Sequence, residues 1–273
     1  MRITWVNLYE DQFSNEHDFP KTTEPVKFLI VASTGRCGSH MLGHALHKTG
    51  CFGFPLEYVN GANLAEWKRR LGTTSLKDTI REIQQRRTSP NGVFSIKLHY
   101  PHLAQFGGFG SMLKYFPDAY FVHLSRGDVL KQAVSLSIAK QTGVWISGQE
   151  PTNENPVFSF EKINACLRET IFNDSSWRYT LAASGCKHID IDFDTARNDL
   201  AGTVQTIGDF MQIEIDPRSI PETQVTRKQS GNLNKDWVEK FVSEFNKSEE
   251  LLSVLNRGCM EKMINKLRSL LPK

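Results

Sequence analysis

Four short apolar runs, separated by longer segments with helical periodicity, constrain the fold of this chain most strongly. The runs cover residues 28–32, 93–98, 120–124 and 189–193. Such a run is typical of a strand that is covered on both faces, as in a parallel sheet. Helical patterns fill the intervals at residues 40–48, 64–87, 129–138, 160–184, 195–211 and 236–271. The alternation predicts an α/β fold in which helices flank both faces of a parallel sheet.

The chain length suits this fold without subdivision. The 273 residues, 39% of them hydrophobic and 23% charged, have an ordinary globular composition with no internal break. Residues 1–26 lack a clear period and are predicted to form an N-terminal extension to a single domain at 27–273. The Gly-, Pro- and Asn-rich segment 143–158 is long for a connection, which suggests a lid or substrate loop. Apolar positions within 251–271 predict an amphipathic helix that packs on the core, or contacts a second subunit or a membrane.

Charge and cysteine content exclude several classes of protein. The formal net charge of +3 is too small to indicate a general nucleic-acid binder, although it permits a local basic pocket. The five cysteines are scattered without a Cys-x-x-Cys pair, which argues against a disulfide framework or a zinc site. No apolar run approaches the roughly 18 residues that a membrane span needs. Together with the absence of a signal-peptide pattern, these features predict a cytoplasmic protein.

The turn after the first predicted strand has the features of an anion site. Gly35 and Gly38 allow the backbone to approach a ligand closely, Ser39 offers a hydroxyl, and Arg36 supplies a fixed cation. Backbone N–H groups at the start of the following helix point toward the same place, where the helix dipole favours negative charge. No lysine follows Gly38, unlike the common nucleotide loop, which argues against a triphosphate ligand.

A second group of anion-binding residues follows the third predicted strand. Arg126 lies at the end of that strand, where open α/β sheets place their ligands. Ser135 lies nine residues further along, within the following helix. The two side chains are candidates for holding a second phosphate.

The loop at 33–42 and the run Arg126-Gly-Asp-Val-Leu-Lys-Gln-Ala-Val-Ser135, continued to Trp145, resemble the sulfotransferases that use 3′-phosphoadenosine 5′-phosphosulfate (PAPS). The resemblance is strongest to the bacterial trehalose 2-sulfotransferase family. It implies the P-loop-type sulfotransferase fold, PAPS as sulfate donor, and a carbohydrate or glycolipid hydroxyl as acceptor. It also implies a homodimer as a further expectation. No metal is expected, because lysine, arginine and backbone N–H groups can stabilise the charge that develops in the transfer.

The resemblance assigns the donor-binding roles. The 5′-phosphosulfate falls to Gly35, Arg36, Cys37, Gly38, Ser39 and His40, and the 3′-phosphate falls to Arg126 and Ser135. A looser similarity at 226–232 assigns Arg227 and Lys228 to a basic loop that adds charge at the 3′-phosphate.

Two residues compete for the role of general base. Glu57 follows Pro55 in a context similar to that of the base in the trehalose sulfotransferases. The Lys97-Leu-His99-Tyr-Pro101 string resembles the corresponding segment of cytosolic sulfotransferases, in which the His is the base. A neutral histidine is well suited to proton abstraction near pH 7. Lys97 is predicted to reach the transferring sulfate.

Other chemistries remain as alternatives. His40, His44 and His47 share a helical face and have spacings compatible with zinc, but no Cys or carboxylate partner accompanies them. Asp190 and Asp192 are similar in type to the magnesium ligands of a kinase, although a structural strand end is the favoured interpretation. The alternatives to a sulfotransferase are a kinase-like nucleotide-dependent transferase and a catalytically silent nucleotide-binding protein.

Overall fold

The computed structural model describes residues 8–20, 23–146, 148–221 and 231–247 of the chain. Its strands are β1 (Lys27–Ser33), β2 (Val93–His99), β3 (Tyr120–Ser125) and β4 (His188–Asp192). They form a parallel sheet with the order β2-β1-β3-β4. Each strand coincides closely with one of the four apolar runs, and the predicted parallel α/β fold is confirmed.

Helices cover both faces of the sheet. They are α1 (Ser39–Lys48), α2 (Gly61–Leu71), α3 (Leu76–Arg87), α4 (Phe109–Met112), α5 (Val129–Thr142), α6 (Phe160–Ser184), α7 (Phe193–Asn198), α8 (Leu200–Met211) and α9 (Asn232–Phe245). Alternate residues of β1 enter different apolar clusters. Ile30 packs in the cluster that contains Trp177 of α6, and Val31 packs in the cluster that contains Leu42 of α1 and Val204 of α8. Burial of such side chains stabilises the fold by about 1.5–3 kcal/mol each.

The register of the sheet brings the carboxyl ends of its strands to one edge. Ser33 of β1 pairs with His99 of β2 and with Leu124 of β3, while Ser125 pairs with Asp192 of β4. The turns that leave β1, β2, β3 and β4 therefore lie side by side. This is the edge at which parallel α/β sheets bind ligands.

Two predicted helices are each divided in the structure. The pattern at 64–87 indicated one helix, but Gly72 adopts a left-handed conformation that ends α2, and the Ser75 side chain caps α3. The pattern at 195–211 is interrupted at Asp199, whose side chain accepts a hydrogen bond from the Gly202 N–H at the start of α8. The apolar pattern continues through both breaks, so periodicity alone did not reveal them. The predicted helix at 236–271 begins earlier, as α9, and its part beyond 247 lies outside the described residues.

The described part of the N-terminal extension packs on the domain in two short 3-10 helices, Glu10–Phe13 and Asn15–His17. The fully buried Arg87 guanidinium anchors it. Its Nε lies 3.1 Å from Asp18 Oδ1, and its Nη2 donates to the carbonyl oxygens of Gln12 and Ser14 at 3.1 and 2.8 Å. Among the described helices, none has the length and apolar character required to cross a bilayer.

Candidate active site

A cavity of about 1530 Å³ opens at the carboxyl edge of the sheet. The turns after all four strands contribute to its wall, and so do the N-terminal segment, the loop after α5 and the start of α9. Its volume exceeds the roughly 300–1,000 Å³ of a typical small-molecule site. The cavity therefore has room for a nucleotide-sized molecule and a second ligand together.

The turn between β1 and α1 is built around Gly38. This residue caps α1 in a left-handed conformation, with φ at 88°. A Cβ atom on Gly38 would lie 2.1 Å from the Phe193 ring, so any other residue would displace that ring. The first N–H groups of α1 consequently reach the cavity with Ser39 and His40 beside them.

Two arginine side chains, Arg36 and Arg126, make contacts beside this turn. Arg36 Nε donates to Ser135 Oγ at 3.0 Å, and its Nη1 donates to the Trp145 carbonyl oxygen. Arg126 Nη1 donates to the Arg36 carbonyl oxygen at 3.3 Å, and the Arg126 guanidinium lies over the Phe193 ring at 4.9 Å. Burial and the neighbouring charge of Arg126 lower the pKa of Arg36 to about 10. The structure thus brings the two predicted anion-binding groups together.

The carboxylates nearest to this end of the cavity have other partners. Asp128 caps α5 and pairs with Lys131 at 2.5 Å, and Asp194 pairs with Arg197 at 3.0 Å. Among the described residues, none supplies a carboxylate within salt-bridge distance of Arg126, whose Nε is buried without a hydrogen-bond partner. An anionic ligand would supply both the negative charge beside Arg126 and a hydrogen-bond acceptor for its Nε.

One predicted donor-binding side chain lies elsewhere. Cys37 is fully buried in the apolar cluster between the sheet and α1, and burial raises the pKa of its thiol. Its side chain does not line the cavity, because the turn that exposes Arg36 directs the next side chain into the core. Arg227 and Lys228 lie outside the described residues, although Gly231 and Asn232, which follow them, line the cavity.

The two candidate bases lie together at the other end of the cavity. Glu57 Oε1 is 2.8 Å from Lys97 Nζ and 3.7 Å from His99 Nε2. Burial alone would raise the pKa of Glu57, but the ammonium of Lys97, followed by His99 and His102, holds it well below its usual range. Burial lowers the pKa of His99, so its ring is neutral near pH 7. In this cluster the charges of Glu57 and Lys97 are paired with each other.

Backbone contacts hold Glu57 in this position. The Lys97 N–H donates to the Leu56 carbonyl oxygen at 3.0 Å, which joins the segment to β2. A Cβ on Gly43 of α1 would lie 2.8 Å from the Pro55 carbonyl oxygen, so the glycine permits close packing on the other side. Glu57 is therefore clamped between a strand and a helix.

A metal centre fits this cluster poorly. Glu57, His99 and His102 offer ligand atoms that lie within 4.8 Å of one another. However, Lys97 already pairs with the Glu57 carboxylate, and His102 Nδ1 accepts a hydrogen bond from the backbone N–H of His99 at 3.1 Å. The proton of the neutral His102 ring therefore lies on its Nε2, which is then a hydrogen-bond donor. The donor set suits proton handling and hydrogen bonding.

The other histidines and aspartates considered as metal ligands take structural roles. His44 Nε2 lies 3.3 Å from the Tyr9 hydroxyl, and His47 stacks on Phe54 at 4.0 Å. Burial lowers the pKa of both histidines to about 4. Asp190 bonds to His123 at 2.7 Å. Asp192 caps α7 and accepts the Gly127 N–H.

Several cavity residues were missed by sequence reasoning. Asn60 caps α2 and its Nδ2 donates to Glu57 Oε2 at 3.4 Å, while Asn63 Nδ2 donates to the Glu57 carbonyl oxygen at 2.9 Å. Thr170 and Asn173 of α6 line the same cavity, as does Gln12 of the N-terminal segment. The Asn60 N-cap was the one available signal. The others carry no motif, because only tertiary packing brings them to the cavity.

Comparison with known proteins finds one matching family model and two similar curated proteins. The model of the Stf0 sulphotransferase family matches residues 28–244. The trehalose 2-sulfotransferase of Mycobacterium tuberculosis (strain ATCC 35801 / TMC 107 / Erdman) is 27% identical over 261 residues, which cover 80% of this chain and 96% of that protein. That of Mycolicibacterium smegmatis (strain ATCC 700084 / mc(2)155) is 26% identical over 256 residues, which cover 80% and 94%.

Solved sulfotransferases align with the structure as well. One from Alicyclobacillus acidocaldarius aligns over 86% of this chain and 100% of its own, with 16% identity and a TM-score of 0.47. A mouse sulfotransferase complexed with PAP aligns over 81% and 82%, with 14% identity and a TM-score of 0.45. The family model covers well over half of the sequence, which confirms the resemblance carried by the two motifs. This chain belongs to the Stf0 sulphotransferase family.

Proposed function

We propose that the protein transfers the sulfuryl group of PAPS to a hydroxyl of a carbohydrate acceptor. One observation carries the proposal: Arg126 binds the Arg36 carbonyl oxygen at the turn after β1, burial and the charge of Arg126 lower the pKa of Arg36, and Arg126 has no carboxylate partner in the described part of the chain. Two like charges held together are unfavourable unless a ligand supplies negative charge. A doubly phosphorylated nucleotide is such a ligand.

In this proposal the donor spans the two anion-binding groups. The N–H groups at the start of α1, with Ser39 and Arg36, hold the 5′-phosphosulfate, and Arg126 and Ser135 hold the 3′-phosphate. The 3.0 Å hydrogen bond between Arg36 and Ser135 supports a shared site for both ends. Arg227 and Lys228 would add charge there, and His40, with its pKa lowered by burial and by Lys97, would be a neutral donor or acceptor.

The chemical step is an in-line displacement at sulfur. The acceptor oxygen forms a bond to sulfur, the bond from sulfur to the 5′-phosphate oxygen breaks, and the acceptor proton passes to a base. Glu57 is the base in this proposal, because it is ionised and lies beside both His99 and the amides of Asn60 and Asn63. His99 is the alternative. Lys97, which pairs with Glu57, would stabilise charge that develops on the transferred group.

A carbohydrate acceptor is supported by the relatives and by the cavity wall. Both curated relatives are named as trehalose 2-sulfotransferases. Around Glu57 the wall is rich in amides and hydroxyls, which donate and accept hydrogen bonds as sugar hydroxyls require. Trp145 also faces the cavity, whereas Trp67 and Tyr58 are buried in the core.

The test is sulfate transfer from labelled PAPS to a panel of sugars that includes trehalose, with mass detection of the product. We expect transfer to at least one sugar. Binding of adenosine 3′,5′-bisphosphate (PAP), the product that PAPS leaves after transfer, without transfer to any sugar would favour a catalytically silent nucleotide-binding protein. Stabilisation by ATP with Mg²⁺ but not by PAP would favour the kinase-like alternative.

A further inference from the structure

The N-terminal segment forms part of the cavity wall. Leu8, Tyr9 and Gln12 line the cavity, although the family model begins only at residue 28. The properties of the family therefore assign no role to this segment. Its position raises the question of which ligand it contacts.

Contacts on both sides hold the segment between His40, at the start of α1, and helix α2, which begins beside Glu57. The Tyr9 ring lies edge-on to His40 of α1, with the ring centroids 5.0 Å apart. The Phe13 ring packs on Trp67 of α2 at 5.1 Å. Helix α2 begins directly after Asn60, which bonds to Glu57. Gln12 lies in the chain between Tyr9 and Phe13, and therefore between these two contacts.

Gln12 lines the cavity, and its carboxamide has no hydrogen-bond partner among the described residues. The residue is only 2% exposed, and its backbone is fixed by hydrogen bonds to the Tyr9 carbonyl oxygen at 3.2 Å and from Arg87 at 3.1 Å. Within residues 8–20, 23–146, 148–221 and 231–247, none forms a hydrogen bond with its carboxamide. A buried amide is normally paired, so a ligand group is the expected partner.

The chemistry of the carboxamide selects the class of ligand. It presents one acceptor oxygen and an NH₂ donor, which together complement a hydroxyl that also donates and accepts. A phosphate or sulfate would use only the donor. We propose that Gln12 determines acceptor specificity by binding a non-reacting hydroxyl of the sugar. This inference rests on the proposed function.

The experiment compares Gln12→Leu with the wild type on trehalose, or on the panel sugar that the wild type sulfates with the greatest kcat/KM. We expect the acceptor KM to rise roughly 10-fold or more, with kcat largely kept and PAP affinity unchanged, because a site that hydrogen-bonds a hydroxyl discriminates through that bond. Against a series of monodeoxy analogues, Gln12→Leu should lose the wild-type preference for the parent sugar over one analogue.

The control is Glu16→Gln, an exposed position on the same segment, which should match the wild type in every measurement. Gln12→Met keeps the length of the side chain and is the second variant if Gln12→Leu lowers Tm. Wild-type transfer combined with an unchanged KM and unchanged analogue preference in a folded Gln12 variant would overturn the inference alone. A wild type that sulfates no sugar would instead overturn the proposed function, and this inference with it.

Discussion

The two ends of the cavity differ in how their charges are balanced. At the end that we propose binds the sulfate donor, Arg126 lies beside the turn that contains Arg36, and the nearby described carboxylates, Asp128 and Asp194, pair with other cations. At the end that we propose binds the acceptor, the charges of Glu57 and Lys97 face each other, and the neutral His99 lies beside them. The first arrangement has no carboxylate partner for Arg126 among the described residues, so we expect it to bind an anion. The second is already balanced, which suits a neutral ligand and the movement of a proton.

Removing the proposed base, Glu57, should produce the largest effect of all, on kcat, and should leave donor binding unchanged. Glu57→Gln is expected to lower kcat by ~10²–10⁴-fold, because a positioned base contributes about that much, while PAP affinity is kept. His99→Gln is the matched comparison. Single-turnover rates with labelled PAPS measure both variants. If His99→Gln alone loses the rate, the base assignment passes to His99, and if neither does, both assignments are wrong.

Removing the Arg126 cation should instead weaken binding of the nucleotide. Arg126→Ala is expected to weaken PAP binding roughly 10- to 100-fold, because it removes charge-assisted hydrogen bonds to a phosphate. The Tm of the ligand-free protein should change little, because the loss of the contact with the Phe193 ring is offset by relief of the electrostatic repulsion of Arg36. Calorimetric titration and a thermal melt measure the two quantities. Arg218→Ala, at a position 90% exposed, is the control and should leave PAP affinity at the wild-type value.

The pairing at the acceptor end should be visible in the pH dependence of the reaction. Lys97 lowers the pKa of Glu57, so Lys97→Met should raise that pKa. The base must be ionised to accept a proton, and the acid limb of the kcat/KM profile should therefore move to higher pH. The exposed Lys240→Met is the control. An unmoved acid limb in Lys97→Met would show that Glu57 does not control it.

His123 differs from Arg126 in that it is paired with two carboxylates. His123 of β3 lies 2.7 Å from Asp190 Oδ1 and 3.1 Å from Asp174 Oδ1. Burial alone would lower the pKa of His123, but these hydrogen bonds raise it. Its charged form therefore stabilises the fold fully below about pH 6.5, its unfolded value, and this contribution is lost as pH rises through the folded pKa.

His123→Gln should consequently lower Tm by a few degrees at mildly acidic pH, with the difference shrinking as pH increases. Thermal melts of both proteins across the pH range measure it. A difference in Tm that is independent of pH would contradict the charged pairing. The same series on Arg126→Ala should show no comparable loss of stability.

The sequence allowed prediction of the parts that depend on local chemistry. The strands were predictable because burial on both faces leaves continuous apolar runs. Arg36 and Arg126 were predicted because they follow strand ends, and Ser135 because it lies in the helix that comes next. Gln12 and Asn63 were not, because packing of distant segments brings them to the cavity. The burial of Cys37 was equally hidden, since a turn sequence does not reveal which side chain faces the core.

Calorimetric titration of the wild type with PAP and with AMP, which lacks the 3′-phosphate, tests the central claim most directly. If Arg126 and Ser135 form a second anion site beside the turn after β1, PAP should bind roughly 10- to 100-fold more tightly than AMP. The preference should decrease in Arg126→Ala. Equal affinities for PAP and AMP in the wild type would contradict the account.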